Sequence, residues 1–155
     1  MINPDIDSLL NSNNVRSAAV TLYQLISDLC SQGNDLSPLT EPQKNFFFIQ
    51  EIERIVNAGH FYDYFYNPSG RFAHEALAAL DIIDAELTAG VVAFAISCFP
   101  NEQVPKDDEE RREQLTQMSK EDKDLLHSLT QTLYSSPENL NILCMEYARE
   151  NKSAF

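Results

Sequence analysis

The chain has 155 residues, with 24 acids against 11 bases, a net charge of −13, 43% hydrophobic residues and only four glycines. That length suits one domain with a buried core, and so few glycines argue against a loop-rich or all-β design. The charge exceeds the magnitude of about 2–8 that solubility needs; such a field repels nucleic acid and anionic membranes and attracts basic partners.

In chain order, Asp5 to Leu10 predicts a short lead-in helix, and Asn13 or Asn14 can cap the next. There Val15, Ala18, Leu22, Leu25, Ile26 and Leu29 recur at three- and four-residue steps, the period of one helix face. Gly33 is expected to end it, before a loop to Pro38. Thr40 with Gln43 reads as a capping box with Pro42 in the first turn. The following helix carries Phe46, Ile49, Ile52 and Val56 and stops near Gly59. His60 to Tyr66 is dense in aromatics, and Asn67-Pro68-Ser69-Gly70 is a strong turn signal.

Phe72, Ala76, Leu77, Leu80 and Ile83 form another stripe. Asp84 is expected to cap a helix whose Leu87, Val91, Phe94, Ala95 and Cys98 face inward, ended by Pro100. Apolar nearly all round, that helix predicts a central position. Asp107 to Met118 reads as a charged, solvent-facing helix. Ser119 with Asp122 restarts the chain for Leu125, Leu126, Leu129 and Leu133; Ser136-Pro137 is expected to cap a last helix bearing Leu140, Leu143, Cys144 and Tyr147. No strand-like alternation with paired turns occurs. The expectation is an all-α fold, a single compact domain of about seven or eight helices spanning residues 1–155, with the N-terminal helices of residues 5–32 packed on the rest.

Cys30, Cys98 and Cys144 are odd in number and each lies in an apolar helical pattern, which predicts free, buried thiols in a reducing compartment. No signal peptide is evident ahead of Ser8, and no apolar run approaches the ~20 residues of a membrane span, so a cytoplasmic location is expected. His74-Glu75 lacks a second histidine at metalloprotease spacing, no cysteine pair has metal-ligand spacing, and no nucleophile elbow, P-loop or dinucleotide fingerprint is present. No catalytic residue, metal or cofactor is therefore assigned. Asp107-Asp108-Glu109-Glu110 lacks the alternating ligands and turn glycine of a calcium loop and reads better as acids at a helix N-terminus. The Phe61–Tyr66 cluster is read as a packed corner between helices, with an exposed tyrosine surface for a partner as the alternative.

The run Asn57-Ala58-Gly59-His60-Phe61, Tyr64-Phe65 and Asn67-Pro68-Ser69-Gly70 resembles the signature of a bacterial helical family named after a DNA-mimic protein, DMP number nineteen. Glu75-Ala76-Leu77, Ala79-Leu80, Phe99-Pro100, Glu109-Glu110-Arg111-Arg112, Leu133-Tyr134, Tyr147 to Asn151 and Phe155 are similar to its later pattern, so the resemblance covers roughly residues 45–155. Ala58 and His60 stand where the family usually has glycines. The resemblance implies an acidic helical protein that occupies the DNA-reading surface of a helix-turn-helix transcription factor. The motif residues Asn57, Gly59, Phe61, Tyr64, Phe65, Asn67, Ser69 and Gly70 are expected to maintain the fold.

The reading is a non-enzymatic acidic interaction protein whose partner is basic, a DNA-binding transcription factor under the resemblance, with room for a homodimer. Asp28, Asp35, Glu51, Asp81, Asp84, Glu86, Asp107, Asp108, Glu109 and Glu110 lie opposite the apolar stripes or in loops and are the acids assigned to the partner. The alternatives are an immunity-type module that neutralises another basic protein, and an enzyme with a noncontiguous site.

Overall fold

The computed structural model describes residues 5–155. It is all helical: among these residues nine α-helices follow one another, α1 (Ile6–Leu10), α2 (Val15–Leu29), α3 (Glu41–Ala58), α4 (Phe61–Tyr66), α5 (Ala73–Ile82), α6 (Glu86–Ile96), α7 (Asp108–Gln117), α8 (Lys120–Tyr134) and α9 (Leu140–Glu150), with short 3-10 turns at Pro68–Phe72, Pro100–Glu102 and Lys152–Ala154. The count exceeds the expected seven or eight because the aromatic run is itself a helix.

Side chains start most helices as their residue types dictate, by accepting from otherwise unpaired first-turn N–H groups. Asn14 accepts from Ser17 N at 3.1 Å, Asp107 from Glu110 N at 2.8 Å and Ser119 from Asp122 N at 3.1 Å. Thr40 and Gln43 form the reciprocal capping box. Two expected starts differ. The last helix is capped by Asn139, which accepts from Ile142 N, while the Ser136 hydroxyl instead accepts from Glu138 N within the preceding loop. Asp84 does not cap α6; it ends α5. Its φ of 57° puts it in the left-handed region, with Asp84 N donating to Asp81 O and Ala85 N to Leu80 O, the paired bonds of a Schellman motif, at a position that aspartate tolerates. Ser31, also left-handed, ends α2 in the same way, two residues before Gly33.

The central helix is α3, not α6. It packs against α2, α4, α5 and α9, and Phe46, Phe47, Phe48, Ile49, Ile52, Ile55 and Val56 are buried around its circumference. Helix α6 lies between α5 and α8 and buries only Thr88, Ala89, Val91, Val92, Ala95 and Ile96. Leu87 and Phe94, expected to face inward, are 54% and 63% exposed. An apolar composition on every side had concealed which face was outermost.

Candidate functional site

The signature segment forms a corner held by an arginine. Arg111 of α7, expected on a solvent-facing helix, is 0% exposed. Its Nε donates to Phe65 O at 2.6 Å, Nη2 to Asn67 O at 2.9 Å, and Nη1 to Pro105 O and Lys106 O at 3.1 and 3.3 Å. Asp108 supplies the countercharge, 2.6 Å from Nη2. A guanidinium can be buried this way because its fixed fork of donors meets an acceptor at each edge. Gly70 makes room for it, since a Cβ there would lie 2.7 Å from Phe65 Cα and O and 2.8 Å from Arg111 Nε. Arg112 donates from Nε to Tyr66 O and covers the Tyr66 ring. Phe61, Tyr64 and Phe65 are buried, Phe65 edge-on to Phe99 with ring centres 4.8 Å apart. The packed-corner reading of the aromatic cluster therefore holds for these rings, while Tyr66 stays exposed.

The assigned acids separate into those the fold consumes and those it displays. Glu51 is a correction: it is 7% exposed, accepts from Tyr23 Oη and pairs with Arg54 at 3.3 Å. Helix α3 is buried over most of its circumference, Gln50 and Glu51 included, and opens to solvent at Arg54 and Asn57 instead. Asp108 is turned to Arg111. Asp28 and Asp35 are exposed at and beyond the end of α2; Asp35 accepts from Ser37, whose hydroxyl and backbone N–H hold its carboxyl below the usual range. Asp107, Glu109 and Glu110 are exposed at the start of α7.

Asp81, Asp84 and Glu86 are brought together and exposed at the α5–α6 junction. A fourth acid joins them that the sequence reading missed. Glu138, from the loop before α9, accepts from Leu87 N at 3.2 Å, Thr88 N at 2.8 Å and Thr88 Oγ1 at 2.5 Å. It thereby caps the N-terminus of α6, where a carboxylate complements the helix dipole. None of the six ion pairs among the described residues involves Asp81, Asp84, Glu86, Glu138, Asp107, Glu109 or Glu110.

A cleft of about 730 Å³ lies between α2, α3 and the signature corner and is lined by Glu51, Tyr23, Arg16, Arg54 and Arg71 among others. Burial, reinforced by the hydrogen bond to Glu51, pushes the Tyr23 phenol up to about 12. This group of side chains can bind polar or ionic groups. The three cysteines are buried and unpaired, and burial raises all of them, Cys98 to about 11 and Cys144 to about 12. Among the described residues no group of three or more His, Cys, Asp or Glu is placed to hold a metal, and no helix is long and apolar enough to cross a membrane.

These features define a small all-helical domain with an arginine-clamped corner and, among the described residues, a surface on which most acids lie outside ion pairs. The chain belongs to the DMP19-like protein family, which matches residues 37–151. The match starts at the loop before α3, ahead of the expected residue 45, and leaves α1 and α2 outside it. No curated protein and no solved structure matches the chain.

Proposed function

We propose that the chain is a non-enzymatic acidic interaction protein that acts as a DNA mimic, occupying the DNA-reading surface of a basic transcription factor. The observation that carries this reading is the α5–α6 corner, where Asp81, Asp84, Glu86 and Glu138 gather on a fixed scaffold outside the ion pairs formed among the described residues. Duplex DNA offers one negative charge per about 1.7 Å of axis, and carboxylates held on helix termini supply charge without the mobility of a disordered acidic tail. Membership of the DMP19-like family supports the reading.

Asp81→Lys with Glu86→Lys tests it. Both side chains are exposed, and the substitutions spare Asp84, whose left-handed backbone ends α5, and Glu138, which caps α6. The double variant is expected to keep its helical circular dichroism and to lose at least tenfold in affinity for a helix-turn-helix partner in fluorescence anisotropy. Unchanged affinity would show that this corner does not carry the interaction.

A further inference from the structure

The outer face of α6 has a different character from the rest of the surface. From Leu87 to Asn101 the sequence contains no charged residue, a run of fifteen on a chain of net charge −13. Leu87, Gly90, Phe94 and Ser97 recur at helical spacing and are all exposed, Phe94 at 63%. Gly90 sits in mid-helix, where glycine costs about 1 kcal/mol relative to alanine. Nothing among the described residues requires it, because a Cβ there would meet none of their atoms within 4 Å. Beside Leu87, a largely apolar groove of about 460 Å³ is lined by Val91, Leu133 and Pro137.

From this geometry we infer that the α6 face is the contact between two copies of this chain. Two α6 helices crossing antiparallel at Gly90 bring Phe94 of each over the Leu87 turn of the other, since the two residues lie about one turn to either side of the glycine. The exposed ring of each copy then enters the groove of its mate. Such an arrangement is isologous, each copy giving and receiving the same ring, and the bare glycine lets the backbones approach closely. The charge pattern selects the occupant. A basic partner is drawn to the acids, whereas two chains of like charge can meet only where neither carries any. Across such a contact the two Glu86 positions, the acids nearest the crossing on α6, stand roughly 12 Å apart along the axis, from a rise of 1.5 Å per residue, beyond the ~8 Å screening length at physiological ionic strength.

The inference does not depend on the mimic reading; if both hold, the dimer displays two acidic corners with two-fold symmetry. Sedimentation velocity of the full chain from 1 to 200 µM, at 50 and 300 mM salt, tests it. The expected result is a reversible dimer that strengthens with salt as the −13 charges are screened. Phe94→Asp and Gly90→Met should each raise the dissociation constant at least tenfold, with the thermal melt of the monomer retained because neither position is buried. A wild-type chain still monomeric at 200 µM in both salts, or a Phe94→Asp variant that dimerises as wild type does, would overturn it.

Discussion

At the scale of single residues, Arg111 and Gly70 decide how the corner is held. Four backbone carbonyls and Asp108 are satisfied by one guanidinium, so Arg111→Ala strands acceptors as well as an acid. The expected loss is about 3–5 kcal/mol in urea unfolding, the range for breaking a buried ion pair. Gly70→Ala places a methyl against backbone that cannot yield and is expected to cost about 1–3 kcal/mol. If either variant unfolds as the wild type does, the clamp is not what holds the corner. Alkaline pH probes other residues. Burial raises Cys98 from 9.0 to about 11, Cys144 from 9.0 to about 12 and Tyr23 from 10.0 to about 12. A folded value above the unfolded one stabilises the fold fully below the unfolded value and progressively less above it. The melting temperature should therefore decline from about pH 9 to 12, and Tyr23→Phe should flatten the part of that decline above pH 10. A melting temperature level across the range would contradict these shifts. The aromatic rings of the signature were legible as core because they recur where helices turn. Arg111 was not legible, since its sequence neighbours Glu109, Glu110 and Arg112 are all charged and nothing local shows that carbonyls 44 and 46 residues upstream need a donor.

At the scale of elements, local chemistry was read well and long-range chemistry poorly. The capping box at Thr40–Gln43 and the caps at Asn14 and Ser119 involve partners three residues apart, so the sequence contains the whole interaction. The cap on α6 comes from Glu138, some 50 residues away, and the nearer Asp84 was assigned to the work instead. Both residues could accept at a helix start; only the Schellman turn, with Asp84 in the left-handed region, decides against the local one. Glu138→Ala is expected to lower stability by about 0.5–2 kcal/mol, as for loss of a helix cap, and to raise amide exchange at Leu87 and Thr88. Unchanged exchange at those two amides would show that Glu138 does not cap α6. The exchange of α3 for α6 as central helix has a related cause. Burial is set by neighbours on every side, and α3 hides Gln50 and Glu51 among its aromatics, which diluted its apolar signal.

For the whole molecule, the helical class and the extent of the family resemblance were legible because helical periodicity and the signature are spread through the chain. The acidic surface was legible only as a total. Net charge says how many carboxylates exist; the fold decides that Glu51 and Asp108 are consumed internally while the α5–α6 corner remains displayed. The central claim is that this surface takes the place of DNA. A competition experiment tests it most directly, with a helix-turn-helix partner bound to its labelled operator and this protein added at increasing concentration. The account predicts that the operator is released in proportion to the protein bound, and that direct binding of the protein to the partner, followed without DNA, weakens as salt screens exposed charges. The protein lacks the condensed counterions of a duplex, so the salt dependence of its affinity should be shallower than that of the operator. A partner that holds operator and protein at the same time would contradict the account.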